Sequence, residues 1–222
     1  MAKNKLRRFA ENLLYPNMFQ ISLDEVKQAP FKLKGKWNQE FFKNDNPIVL
    51  ELGCGKGEYT VGLAERYPHK NFIGVDIKGA RMWKGCKESN EKEMSNVAFL
   101  RTRIEFIDYF FAENEISEIW VTFPDPQLKK PNKRLTSERM LSLYRKMTIP
   151  EAVYHLKTDS KELYDYTKDE VLFPDKYTIF AHTDDLYASD FYGEVKEIKT
   201  HYEQLFSAKG KKITYLSFGV NN

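Results

Sequence analysis

The stretch Glu51-Leu-Gly-Cys-Gly-Lys-Gly57 decides how the chain folds. It follows an apolar run, Ile48–Leu52, that reads as a strand, and it opens Gly57–Tyr67, whose apolar residues recur at helical spacing. Glycines at alternate positions let the backbone turn sharply and bring its N–H groups against a ligand. Twenty-five residues beyond Glu51, Asp76 sits near the end of the next apolar run, Asn71–Ile77, where one carboxylate can accept both hydroxyls of a ribose. Strand, glycines, helix, strand and terminal acid, in that order, are the layout of a nucleoside-binding βαβ unit.

The alternation continues outward. Further strands are predicted at Val97–Arg101, Glu118–Phe123, Ala152–Lys157, Tyr177–His182 and Ile213–Val220. Helices are predicted at Lys78–Met94, Ser137–Met147, Ser160–Leu172 and His201–Ala208. Strands separated by helices imply an α/β fold: a mostly parallel seven-stranded sheet covered on both faces. The last strand has no long helical crossover before it and is expected to pair antiparallel. Two units are expected: a basic amino-terminal arm over residues 1–36, partly flexible and disordered without a polyanion, and a single domain over 37–222.

Composition narrows the function classes. The 222 residues carry 35 Lys and Arg against 32 Asp and Glu, a net charge of +3 that by itself argues for nothing. Its distribution does. Residues 1–36 hold eight cations and three acids, +5; residues 129–146 hold seven cations and Glu138 alone, +6; residues 151–206 reverse to −7. Clustered cations suit a polyanion, because each phosphate they neutralise releases condensed counterions; solvated helix faces would look the same from charge alone. No run is long and apolar enough for a membrane span and no export signal is legible, so a soluble, cytoplasmic protein without membrane contact is expected. Cys54 and Cys86 stand alone, consistent with free thiols, a turn filler and a packing residue, and with no disulfide or metal site.

The glycine loop also says which nucleoside it suits. A dinucleotide fingerprint wants a glycine where this chain has Glu58, and carboxylates at 51 and 58 would repel a pyrophosphate. S-adenosylmethionine fits better, with a cationic sulfonium and ammonium and a carboxylate small enough for a few backbone amides. A second motif lies at Phe123-Pro-Asp-Pro126, where a strand ends with Asp125 held between two prolines that stiffen the backbone. Gln127-Leu-Lys-Lys-Pro-Asn-Lys-Arg134 follows, with four cations in eight residues. A rigid carboxylate beside a phosphate-binding strip points to an acceptor base in a nucleic acid.

Four blocks, ELGCGKGEY at the glycine loop, FPDPQLKK after the fourth strand, HLKTDS at 155–160 and the late THYEQLFSAKG, together resemble the bacterial tRNA (guanine-N7-)-methyltransferases. The resemblance runs from about Pro47 to about Gly219. It implies a Rossmann-like class I methyltransferase fold and methyl transfer from S-adenosylmethionine to N7 of a variable-loop guanosine of tRNA, guanine 46 in the usual scheme, leaving S-adenosylhomocysteine, with no metal. It further implies that Glu51, Gly53, Gly55, Gly57, Asp76, Arg103 and Asp125 bind the cofactor and that Asp125 is the catalytic residue. Lys129, Asp159, Thr200, Tyr202 and Glu203 match substrate-binding positions, and Lys130, Lys133 and Arg134 fall where RNA is met, with Lys129 and Arg134 expected to be most exposed. Partners beyond tRNA are not implied, and the chain would act as a monomer or homodimer.

Two residues depart from the family pattern. Gln127 stands where a Trp is usual, and Arg103 where an acid near the adenine is usual. Thr200 and Glu203 also read as a capping box at a helix start. From the residues, two other functions stay open: methylation of an exocyclic or small amine, and an inactive RNA-binding module.

Overall fold

The computed structural model of the chain describes residues 2–221, and only the backbone of Ala2 and Lys3; Met1, the first residue of the basic arm, and Asn222 lie outside the described residues. In chain order the elements are α1 (Ala2–Asn12), β1 (Met18–Phe19), α2 (Leu23–Gln28), β2 (Ile48–Leu52), α3 (Glu58–Arg66), β3 (Asn71–Asp76), α4 (Gly79–Glu91), β4 (Val97–Arg101) and β5 (Ile116–Thr122). They continue with α5 (Glu138–Tyr144), β6 (Thr148–Thr158), α6 (Lys161–Asp165), β7 (Tyr177–Thr183), α7 (Glu194–Glu197), α8 (His201–Ser207) and β8 (Thr214–Val220). One sheet holds all eight strands in the order β1-β4-β3-β2-β5-β6-β8-β7. The seven expected strands are present, and β8 alone runs against its neighbours. The eighth is the two-residue edge strand β1, too short to carry a period.

Alternating side chains build a core on each face. Leu50, Ile73, Val75 and Leu100 point to one face, where Trp37 and Phe110 cover them; Val49, Phe72 and Phe99 point to the other, under Tyr59 and Met82. Helices on both sides are what allow these strands to be apolar throughout. No helix among the described residues is long and apolar enough to cross a membrane.

The boundary expected at residue 36 does not separate two units. Phe31 and Leu33 share a core cluster with Trp37, β1 pairs with β4, and the Asn12 side chain is buried and donates to the Gly79 carbonyl at 2.9 Å. The basic segment is thus part of the body of the fold; its apolar residues, not its charges, decide that.

Candidate active site

A cleft of about 670 Å³ opens at the carboxyl ends of β2, β3, β4 and β5, which is where the order of an open parallel sheet reverses. Its floor is the glycine loop. Gly53 and Gly55 line it at φ of +80° and +56°, and the Gly53 and Cys54 N–H groups donate to the Val75 carbonyl at 2.8 and 3.0 Å. Gly55 donates to Asp76 Oδ2 at 2.9 Å, and Lys78 N–H takes Oδ1 at 2.8 Å, so the Asp76 carboxylate is fixed at the cleft edge. Gly57 has a different task. It caps α3 at φ +75°, and a Cβ there would stand 2.5 Å from the Phe99 ring, so only glycine lets α3 sit down on the sheet.

Glu51 lies behind this loop rather than in the cleft. It is 2% exposed; one carboxylate oxygen accepts from the Thr60 N–H at 2.8 Å and from the Thr60 hydroxyl, the other from the Thr122 hydroxyl at 2.6 Å. Burial pushes its carboxyl up to about 7 despite these donors. The residue ties the first turn of α3 to the ends of β2 and β5.

The opposite wall is the turn at Asp125. Phe123 and Gln127, flanking Pro124-Asp125-Pro126, adopt left-handed backbone at φ of +47° and +46°, a conformation that non-glycine residues hold only when their surroundings impose it. Asp125 is exposed and lines the cleft; Oδ1 accepts from the Gln127 N–H at 3.0 Å, and Oδ2 has no protein hydrogen bond among the described residues. Gln127 lines the cleft as well.

Arg134 overturns one expectation. Expected to be among the residues most exposed to phosphate, it is 3% exposed: Nε donates to the Pro126 carbonyl at 2.9 Å, a terminal nitrogen donates to Glu162 at 2.6 Å, and the guanidinium lies 4.3 Å from the Tyr166 ring centroid. Its planar fork fits carbonyl, carboxylate and ring at once, so it holds the Asp125 turn from behind. Lys130 and Lys133 line the cleft, whereas Lys129, although exposed, does not.

The third wall is the start of α8. Thr200 and Glu203 form the capping box foreseen, and Thr200, His201 and Tyr202 line the cleft. Glu203 itself is fully buried, pairing with Lys157 at 2.7 Å and accepting from the Tyr187 hydroxyl at 2.6 Å, so it cannot reach a ligand. Asp159 is also outside the cleft, paired with Lys211 at 2.6 Å. Arg103 is at the cleft edge but turned to Glu105 at 3.4 Å, 5.6 Å from the Phe106 ring.

Three contributors were not foreseen. Glu105 lines the cleft two residues after Arg103; burial disfavours its charge, but its own backbone N–H and Arg103 outweigh that and hold its carboxyl below the usual range. Glu58 accepts from the His201 N–H at 2.7 Å and from Lys84 at 2.9 Å, joining α8 to the glycine loop. Lys157 is the buried partner of Glu203, and burial lowers its pKa. The IEF segment after β4 could have signalled Glu105; nothing local marks Lys157 as buried. Of the seven cations lining the cleft, Arg103 alone has a carboxylate in ion-pair contact among the described residues; Lys56, Lys78, Arg81, Lys130, Lys133 and Arg139 have none.

Residues 45–216 match a family described as putative methyltransferases. The chain is 54% identical to a tRNA (guanine-N(7)-)-methyltransferase of Bacteroides fragilis over 98% of its own length and 86% of that protein's. It is 50% identical to one of Christiangramia forsetii over 99% of both. Among solved structures, the 16S rRNA methyltransferase KamB superposes with a TM-score of 0.60 at 15% identity, covering 91% of this chain and 95% of that one. TrmN from Thermus thermophilus superposes at 0.55 with 15% identity, over 84% of this chain and 48% of that one. At these identities the solved structures speak to the fold.

Proposed function

The chain belongs to the tRNA (guanine-N(7)-)-methyltransferase family, and from that premise we propose that it methylates N7 of guanine 46, in the tRNA variable loop, using S-adenosylmethionine. The observation that carries this reading is the joining, in one cleft, of a nucleoside cradle with an exposed carboxylate ringed by unpaired cations.

The cradle fits the cofactor by its donor set. Gly53 and Gly55 put backbone without side chains on the cleft floor, where a cofactor can lie close, fixed Asp76 suits ribose hydroxyls, and apolar Ile77 and Ile104 suit the faces of a purine. Glu105, rather than Arg103, offers the acceptor for the adenine amine. When bound, S-adenosylmethionine supplies an electrophilic methyl on a cationic sulfonium. The rest is the work of this chain. Guanine N7 has an in-plane lone pair and no proton to lose, so the protein need not act as a base; it must hold N7 in line at attack distance, which can lower a barrier by several kcal/mol. Asp125 is the catalytic residue: its free Oδ2 accepts from the guanine N1–H and exocyclic amine, or faces the positive charge that grows on the purine. Tyr202 and Thr200 border the base, and Lys130 and Lys133 meet flanking phosphates. Glu51, Glu203 and Arg134 act from behind the walls. The protein is taken to work in the cytoplasm as a monomer or homodimer without an obligatory protein partner.

Incubation with labelled S-adenosylmethionine and unmodified tRNA, followed by chemical cleavage at N7-methylguanosine, should place the label at one variable-loop guanine. Label on another base, or binding of tRNA without transfer, would sink this reading.

A further inference from the structure

The described carboxylates neutralise cations over much of the surface but leave a continuous group of them unmatched on the β3–β4 side of the cleft. Lys5 and Arg8 on α1, Lys78 and Arg81 at the start of α4, and Arg101 at the end of β4 have no carboxylate within ion-pair distance among the described residues. By contrast Lys84 and Lys87 further along α4, and Lys92 just after it, are each paired.

The packing of α1 brings these charges together. The Arg8 guanidinium lies 4.8 Å from the Trp83 ring centroid, Phe9 lies 5.1 Å beneath the Arg101 guanidinium, and Asn12 donates to the Gly79 carbonyl. Gly79 is where α4 begins, and a Cβ there would meet both Arg101 at 2.9 Å and Phe9 at 3.0 Å. The helix is therefore seated on the cleft rim, with Lys5 exposed one turn before the seated residues and Lys78 and Arg81 lining the cleft itself. In the sheet order, β3 and β4 lie on one side of β2, and β5, which leads into Lys130 and Lys133, lies on the other. The two groups of free cations thus flank the glycine loop and Asp125.

We propose that α1 and the amino end of α4 form a second RNA-phosphate face, so that the strand carrying the target guanine is gripped on both sides of the base. The proposal rests on the tRNA reading above. A single grip would let the flanking backbone pivot about the target; two would fix the direction in which the strand crosses the cleft mouth. The partner is an RNA backbone rather than a lone anion, because the charges are spread along a helix and a strand end instead of converging on one point.

The test is titration of fluorescently labelled tRNA onto the full chain over a range of salt concentrations. The Lys5→Ala/Arg81→Ala variant should bind about tenfold more weakly near physiological salt, and its plot of log affinity against log salt should be shallower by about 1 for each charge removed. Lys5→Arg/Arg81→Lys should keep the wild-type slope, and thermal unfolding reports that each variant is folded. Lys43, next to Asn44 and its bond to Asn71 at the far end of the sheet, supplies the control: Lys43→Ala should leave the slope unchanged. An unaltered slope in the folded double-Ala variant, or an equal loss in Lys43→Ala, would overturn the second face. A wild-type chain that fails to bind tRNA would instead remove the reading on which it rests.

Discussion

The glycine loop bends because Gly53, Gly55 and Gly57 have no side chains to prevent it; the turn opposite bends because Phe123 and Gln127 are held at positive φ although they have them. The first conformation is available to its own sequence, and the second has to be imposed. The buried charges behind the two walls match this difference. Behind the glycine loop is an acid, Glu51, satisfied by hydroxyls and an amide and easily left neutral. Behind the Asp125 turn is Arg134, whose guanidinium gives three separate contacts. A loop that is free to bend needs a tether, whereas a turn held against its preference needs a clamp.

This contrast can be broken most directly at the exposed tip. Asp125→Ala should lower kcat by about 10²–10³-fold, the scale for losing one oriented group at a transition state, with S-adenosylhomocysteine affinity changed only a few-fold. A wild-type rate would remove Asp125 from the chemistry. The next effect belongs to Glu51. Its folded pKa of about 7 lies above the ordinary carboxyl value of 4.5, so its contribution to stability is full below pH 4.5 and fades as pH rises through 7. At pH 8 the ionised group costs about 3 kcal/mol relative to an unshifted one. Glu51→Gln should therefore raise the unfolding midpoint at pH 8 more than at pH 5 while leaving cofactor affinity within a few-fold; a tenfold loss of affinity would mean that Glu51 reaches the ligand after all.

Arg134→Ala should lower stability by about 2 kcal/mol, since it removes a buried side chain and its hydrogen bonds to the Pro126 carbonyl and the exposed Glu162, and should reduce kcat more than it raises KM for tRNA. Its salt slope for tRNA binding should match wild type, which separates a clamp from a phosphate contact. Lys130→Ala/Lys133→Ala is the complementary case: the slope should fall by about 2 with the unfolding midpoint unmoved. Lys129→Ala, outside the cleft, should produce the smallest change; a slope reduced as much as for Lys130→Ala would place the backbone differently.

Sheet, cleft and cradle were legible in the sequence because they rest on period and order: alternating apolar residues, glycines at a strand end, an acid closing the next strand. Depth was not legible. Arg134 and Lys133 are neighbours in one basic run, yet the first is buried under Tyr166 and the second faces the cleft. Glu203 and Tyr202 are likewise neighbours, and only the tyrosine borders the cleft, because the partner that draws Glu203 inward, Lys157, lies 46 residues earlier on β6. The amino-terminal segment was misjudged for a related reason. Its charge suggested a free arm, while Phe31 and Leu33, too few to show a period, join the core cluster that holds Trp37, a grouping that only the folded chain reveals.

The clamp on Pro126 also bears on how this acceptor turn could be transplanted. Residues 123–134 look like a self-contained insert, but Arg134 is satisfied by Glu162 at the start of α6 and by Tyr166 just beyond it. A graft of that insert alone onto another methyltransferase scaffold would carry a buried cation with only the Pro126 carbonyl to receive it. The portable unit is discontinuous: the turn together with the helix that follows β6. Drift in one half of that unit would be tolerated only when the other half drifted with it.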